Sequence, residues 1–183
     1  LKKKHKPLFS SKLYQYLQTN NNIPKKSFLI TFDDGYKDNL FNALPLLEKY
    51  NIPATIFITT GFINCEIIPY EYALAEIIRQ KHTIGFKWNG QNIFKETKTS
   101  EEKKQAYQSL RKMVKFENHE KRLELLKAMD YQNYVNEESI FNMFLNWQEV
   151  KHLDRHPLIN IGAHSHLHVP LTARGINLDQ EVN

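Results

Sequence analysis

Cysteine is almost absent from this sequence of 183 residues, in which Cys65 is the single example. One cysteine excludes an internal disulfide framework and any zinc site built mainly from cysteine ligands. No stretch approaches the roughly 18 consecutive apolar residues of a membrane-spanning helix, and no signal peptide is visible. The chain begins at Leu1 rather than at methionine. The missing targeting segment therefore says little about location, which the sequence leaves unknown.

A concentrated basic surface is also missing. The formal net charge is +5, and the lysines are spread along the chain with only short local runs. Nucleic-acid binding would require a basic face interleaved with stacking aromatic residues, or a recognisable module. We therefore expect no nucleic-acid partner. The hydrophobic content of 41% and charged content of 25% are those of one ordinary globular domain.

Apolar residues in the first third of the chain recur at helix and strand spacing. The pattern predicts a helix over 9–19, a buried strand over 25–32, a helix over 38–50 and a buried strand over 52–60. Asp38 is the predicted N-cap of the second helix, and Pro45 should kink or shorten it. Strand, helix and strand in so short a stretch indicate a parallel βαβ unit, and hence an α/β fold.

The middle of the chain has a different character. Helices are predicted over 69–81, from a Thr99–Glu102 capping box to about 117, over 119–129 and over 137–153, with a tight hairpin at Asn89-Gly90. Strand character returns at "PLINIGAH". We therefore interpret about residues 66–145 as a mostly helical insertion into a single domain that spans 1–183.

Two polar motifs follow predicted strands. "TFDDG" holds the adjacent carboxylates Asp33 and Asp34, and "GAHSHLH" holds His164, His166 and His168. On a strand all three imidazoles would share a face, and on a helix His164 and His168 would align. Two imidazoles and one carboxylate suit a divalent metal that keeps a position open for water. An ion bound by one of the two aspartates would relieve the repulsion between their carboxylates. The aspartate that does not bind the ion could then accept a proton from water.

The two motif regions together resemble a known family. "FLITFDDGYKDNLFNALPLLEKYNIPATIFITT" and "LNWQEVKHL" with "INIGAHSHLHVPLT" resemble the first and second motif regions of the polysaccharide deacetylases, the NodB-like carbohydrate esterases. The resemblance implies that Asp33 is the catalytic base and that Asp34, His164 and His168 hold the metal. It also implies that Ser165 steadies the histidine loop by a hydrogen bond, and that His166 is not a ligand.

The same resemblance carries expectations about fold and reaction. The family fold is a distorted (β/α) barrel, which we expect to be incomplete in this chain. The implied reaction is metal-dependent hydrolysis of acetyl groups, chiefly N-acetyl, on sugars of a bacterial surface polysaccharide or related glycan. The partner would be that acetylated glycan, and the cofactor zinc, with cobalt, nickel or iron as alternatives that the same ligands accept.

The later motifs of the family have no counterpart before Asn183. Those motifs supply an arginine and the histidine acid of a Leu-x-His motif, so we expect this chain to be part of a longer enzyme. The alternative is a catalytically silent relative that binds a glycan or a protein partner. A continuation of the gene with those motifs would favour the enzyme.

Overall fold

The computed structural model describes residues 4–182. Its strands are β1 (Lys6–Pro7), β2 (Ser27–Phe28), β3 (Thr31–Phe32), β4 (Ala54–Ile58), β5 (Thr83–Trp88), β6 (Gln91–Glu96) and β7 (Ile159–Ala163). Its α-helices are α1 (Ser10–Gln18), α2 (Leu44–Tyr50), α3 (Thr60–Ile63), α4 (Tyr70–Gln80), α5 (Ser100–Val114), α6 (His119–Ala128), α7 (Glu137–Phe141), α8 (Trp147–Asp154) and α9 (Leu178–Val182). A π-helical turn covers Asn39–Ala43, and a 3-10 turn covers Tyr131–Asn133.

The chain divides into two compact units. Unit 1 comprises Leu1–Glu66 and Phe141–Ser165, and unit 2 comprises Ile67–Ile140 and His166–Asn183. The second division falls inside the histidine motif, between Ser165 and His166. The two ends of that motif therefore belong to different units.

Unit 1 contains a three-stranded parallel sheet in the order β3-β4-β7. The central strand β4 is the predicted strand of 52–60, and Ala54, Thr55, Ile56 and Ile58 are buried in it. Parallel strands buried on both faces read as continuous apolar runs, which explains "ATIFI". The prediction of a parallel α/β arrangement is confirmed. The carboxyl ends of β3 and β7 lie on either side of the end of β4.

The predicted buried strand over 25–32 was wrong in two respects. It is divided into β2, which pairs with β1, and β3, which pairs with β4. Its residues are half-buried or exposed rather than buried. An apolar run predicts a strand but not its neighbours, and within residues 4–182 β3 has a paired strand on one side only.

The helix predicted over 38–50 begins differently from the expectation. Asp38 has helical φ and ψ and makes no side-chain cap, so the predicted N-cap was wrong. A π-helical turn covers Asn39–Ala43, and the N–H of Leu44 donates to the carbonyl of Asn39. Pro45 follows at once and has no N–H for an α-helical bond. The α-helix itself covers only Leu44–Tyr50 of the predicted 38–50, so the predicted shortening is observed.

Unit 2 combines helices with the antiparallel hairpin β5-β6. Asn89 and Gly90 form the hairpin turn with φ of +47° and +79°, because a two-residue turn with this twist needs positive φ at both positions. Helix α4 buries Ala73, Leu74 and Ile77 at helical spacing, and it packs against α5 and α6. The predicted hairpin, the helices α4, α5 and α6 and the Thr99–Glu102 capping box are confirmed. The single helix predicted over 137–153 was wrong, because residues 142–146 are not helical and divide it into α7 and α8.

The strands of residues 4–182 form one three-stranded sheet and two two-stranded sheets, and no closed barrel is present in this part of the chain. The barrel and the insertion over about 66–145 therefore stay predictions. No helix within the described range has the length and apolar character needed to cross a bilayer.

Candidate functional site

The adjacent aspartates lie where β3 ends. Asp33 is exposed, and Asp34 and Gly35 have φ of +71° and +82°. The N–H of Gly35 donates to the carbonyl of Asp33 at 2.9 Å. That bond closes a three-residue γ-turn around Asp34, in the rarer and more strained form with positive φ. The turn gives the two carboxylates different surroundings although they are neighbours in sequence.

Gly35 is required at the turn for two physical reasons. Its φ is one that residues with a Cβ rarely adopt. A Cβ built on it would lie 3.1 Å from Ile58 Cγ2 and 3.1 Å from Ile63 Cδ1. The backbone of the turn is therefore packed directly on the end of β4 and on α3.

The segment that precedes α8 holds the far side of this turn. Lys37 N–H donates to the Met143 carbonyl at 2.8 Å, and Leu145 N–H donates to the Gly35 carbonyl at 2.9 Å. Between these bonds, the rings of Tyr36 and Phe144 stack with centroids 4.7 Å apart. The loop after β3 is thus fixed by residues more than 100 positions away in the sequence.

His164 follows β7 directly and is fastened to the end of β4. Its N–H donates to the Ile58 carbonyl at 2.8 Å. Its carbonyl accepts a hydrogen bond from the Thr59 hydroxyl at 3.0 Å, and Thr59 is fully buried. The carboxyl ends of parallel strands are where α/β folds place their functional side chains. These contacts of the His164 peptide groups place the residue at that edge.

Within unit 1, Asp34 and His164 come together. Asp34 Oδ1 lies 3.5 Å from His164 Nε2, and the two side chains are 20% and 38% exposed. Ligand atoms at about 2.1 Å from one tetrahedral zinc ion lie about 3.4 Å apart. The observed separation fits a pair of ligands on a single ion. A carboxylate oxygen with an imidazole nitrogen is also a donor set that zinc accepts.

Ser165 is held through its main chain. Its φ is +61°, and its carbonyl accepts the N–H of Thr60 at 3.3 Å. This contact joins the start of α3 to the histidine motif. The predicted role of the Ser165 hydroxyl stays a prediction, because the contact that fixes this residue is made by the peptide group.

The rest of the histidine motif belongs to unit 2. The N–H groups of His166 and Leu167 both donate to Glu181 Oε2, at 3.1 Å and 2.9 Å. The carbonyl of His168 accepts a hydrogen bond from Arg122 Nη1 at 2.8 Å, and His168 has a φ of +51°. His168, the third predicted metal ligand, is therefore anchored through its backbone to α6.

Arg122 is only 4% exposed, which is unusual for an arginine. Burial lowers the pKa of its guanidinium, while the nearby Tyr70 and Glu71 act in the opposite direction. The guanidinium carbon lies 4.4 Å from the centroid of the Tyr70 ring, and burial raises the pKa of that phenol. A buried charge of this kind is tolerated where its N–H donors are hydrogen-bonded.

Sequence reasoning missed both Arg122 and Glu181. Arg122 has a signal in the sequence, because it shares a helix face with Leu125 and Leu126, and all three are buried. A charged residue at an apolar position of a helix indicates a buried polar contact. Glu181 offers no such signal, because its partners are peptide N–H groups in a loop.

The sequence was then compared with known proteins. A family model described as polysaccharide deacetylase matches residues 20–126, more than half of the chain. This chain belongs to the polysaccharide deacetylase family. The matched range contains Asp33 and Asp34, and it ends before the histidine motif. The family assignment therefore rests on the first motif and the residues around it.

Individual deacetylases match over shorter stretches. A poly-beta-1,6-N-acetyl-D-glucosamine N-deacetylase of Staphylococcus aureus (strain N315) is 44% identical over 55 residues, which are 30% of this chain and 19% of the relative. The match thus spans well under two thirds of the relative's own length. The same relative in strain COL of that organism matches to the same extent.

Two solved structures are similar over most of this chain. They are the deacetylase domain of BpsB from Bordetella bronchiseptica, at 16% identity, and a de-N-acetylase from Aggregatibacter actinomycetemcomitans, at 13% identity. Each match covers 90% of this chain and 39% of the other, with a TM-score of 0.45.

Proposed function

We propose that this polysaccharide deacetylase is a metal-dependent hydrolase that removes N-acetyl groups from sugars of a bacterial surface polysaccharide. The observation that carries the proposal is the approach of Asp34 Oδ1 to His164 Nε2 at 3.5 Å. These two residues come from the ends of different strands, 130 positions apart in the sequence. Membership of the family supports the reaction class, and the donor chemistry supports the metal.

The proposed ligands are Asp34, His164 and His168, each of which offers one carboxylate oxygen or imidazole nitrogen. His168 follows His164 by four residues, and four residues of chain span at most about 14 Å. Chain continuity therefore supports His168 as the third ligand. Zinc is the proposed ion, and cobalt, nickel or iron would fit the same donors.

A bound divalent ion would polarise the acetyl carbonyl and lower the pKa of water at the site. Asp33 is exposed at the end of β3 and is proposed as the base that accepts a proton from the attacking water. Water adds to the amide carbonyl carbon, the C–N bond breaks, and acetate and a sugar amine are formed. The amine must gain a proton as it leaves, and we assign no residue of this chain to that transfer.

The proposed substrate is a polymer of β-1,6-linked N-acetylglucosamine. The support is the substrate in the name of the Staphylococcus aureus relatives, which are 44% identical to this chain over their matched stretch. We also propose that the parallel strands β3, β4 and β7 form part of a distorted (β/α) barrel. The mostly helical residues of about 66–145 would be an insertion in it, and Ser165 would steady the histidine loop.

The test is acetate release from a β-1,6-linked N-acetylglucosamine oligomer, measured with zinc and with a chelator. Wild-type protein should release acetate only when zinc is present. Asp33→Asn should lower release by about 100- to 10,000-fold because the base is lost, while it keeps its zinc. Asp34→Asn should lose zinc as well as activity. Asp38→Asn, at an exposed position in the same loop, is the matched control and should behave as wild type.

Each contrary outcome points to one part of the proposal. Release that persists in the chelator would contradict the metal dependence. Wild-type turnover in Asp33→Asn would contradict the assignment of the base. Saturable binding of the oligomer without acetate release, in protein that holds zinc, would favour the catalytically silent alternative.

A further inference from the structure

We propose that Arg122 and Glu181 are positioning residues that fix the backbone of residues 166–168 and so set the direction of the His168 imidazole. We refer to the two side chains together as the loop clamp. The inference rests on the proposed function, because it matters only if His168 is a metal ligand. Its basis is a set of contacts that lie wholly within unit 2.

Glu181 holds the first half of this loop. One carboxylate oxygen, Oε2, accepts the N–H groups of two successive residues, His166 and Leu167, at 3.1 Å and 2.9 Å. Hydrogen bonds to an ionised acceptor are stronger than neutral ones. Glu181 is only 5% exposed, so water competes little for these bonds. The N–H groups of two adjacent peptides therefore both point at the same carboxylate oxygen.

The second oxygen of Glu181 has a different environment. Oε1 is buried and has no hydrogen-bond partner among residues 4–182. A cavity of about 30 Å³, lined in part by Glu181, His119 and Leu167, has room for one water molecule. Among residues 4–182, the Glu181 carboxylate therefore accepts hydrogen bonds from the loop and from no other group.

Arg122 holds the second half of the loop. Its Nη1 donates to the His168 carbonyl at 2.8 Å, its Nη2 to the Lys115 carbonyl at 3.0 Å, and its Nε to the Val114 carbonyl at 3.3 Å. The last two carbonyls belong to the C-terminal end of α5, and that of Val114 also accepts the N–H of Glu117 at 3.2 Å. One planar guanidinium thus ties the His168 peptide to the C-terminal end of α5.

The conformation of His168 explains why the loop needs such support. Its φ of +51° lies in the left-handed region, where a Cβ is crowded by the backbone. Such conformations persist when the surrounding structure fixes them. The carboxylate of Glu181 accepts the N–H groups of His166 and Leu167, and the guanidinium of Arg122 donates to the carbonyl of His168. Each charge of the loop clamp therefore matches the polarity of the peptide group that it contacts. A ligand histidine commonly needs partners of this kind to keep its orientation.

The test measures zinc affinity by competition with a chromophoric chelator, on the whole chain. Glu181→Leu and Arg122→Met should each weaken zinc binding by about 10- to 100-fold, the usual effect of losing an outer contact of a ligand. Glu181→Gln keeps an acceptor oxygen and should retain most of the affinity. The visible spectrum of the cobalt-substituted protein should change in Glu181→Leu and stay close to wild type in Glu181→Gln.

Controls separate the clamp from general damage. Arg79→Met and Glu124→Leu change matched but exposed residues of unit 2, and both should bind zinc as wild type does. Thermal unfolding of each metal-free variant shows whether it is folded. If Arg122→Met does not fold, Arg122→Lys takes its place, because lysine keeps the charge but cannot reach all three carbonyls.

The two proposals fail in different ways. If wild type binds no zinc, or if His168→Ala leaves its affinity unchanged, the proposed metal site is wrong. If zinc binding depends on His168 but folded Glu181→Leu keeps wild-type affinity, the metal site stands and the loop clamp is wrong.

Discussion

At the scale of single residues, both motifs contain residues with positive φ. Asp34, Gly35, Ser165 and His168 all have φ between +51° and +82°. For residues with a Cβ, this conformation costs roughly 1–2 kcal/mol each. Backbone strain of this kind clusters at functional sites, where surrounding contacts maintain it. In this chain the contacts come from β4, from residues 143–145 and from the loop clamp.

Gly35→Ala should destabilise the protein by about 1–3 kcal/mol, because alanine at positive φ is strained. Its Cβ would also lie 3.1 Å from both Ile58 and Ile63. The free energy of unfolding from urea titration measures the change. Gly85→Ala is the control, since its Cβ would meet Phe94 at an ordinary 3.7 Å. An equal loss in both variants would contradict the special role of Gly35.

Local signals in the sequence predict individual elements well where the decisive contacts are local. The capping box of α5, the Asn89-Gly90 turn and the spacing of α4 are all of this kind. The strand predicted over 25–32 was wrong because its division depends on which strand pairs with each half. The Asp38 cap was wrong because Asp38 already has helical φ and ψ and the α-helix begins only at Leu44.

Thr99→Ala should lower the stability of the protein by about 1 kcal/mol, the usual effect of removing an N-cap. The Thr99 hydroxyl accepts the Glu102 N–H at 3.2 Å, and Glu102 Oε2 accepts the Thr99 N–H at 2.8 Å. Thermal unfolding followed by circular dichroism measures the change. Lys112→Ala, exposed in the last turn of the same helix, should have little effect. A Thr99→Ala melting temperature at the wild-type value would show that the box does not contribute.

For the whole molecule, the proposed metal would join distant parts of the chain. Asp34 and His168 are 134 positions apart, and an ion bound only by the folded chain stabilises that state. Free zinc at 100 times its dissociation constant should add about 2.7 kcal/mol to the free energy of unfolding. The melting temperature should therefore rise with zinc and return to its starting value in chelator.

Asp34→Asn is the variant that tests this coupling. Its melting temperature should be insensitive to zinc, because the amide is a weak substitute for a charged ligand. Asp33→Asn should keep the zinc-dependent rise, since Asp33 is proposed as a base and not as a ligand. A zinc effect of equal size in wild type and in Asp34→Asn would place the ion elsewhere.

The sequence by itself determined the helices α4 to α6 and the hairpin of unit 2, the buried strand β4, the strand β7, and the two motifs with their residue types. These features follow from periodicity, turn chemistry and capping, which act between residues close in the chain. Only the tertiary structure decided the pairing of β2 and β3, the packing of Gly35 on Ile58 and Ile63, and the contacts of Arg122 and Glu181. Those depend on which distant groups meet, and a peptide N–H or carbonyl is the same at every position, so no sequence pattern identifies it as the partner of a buried charge.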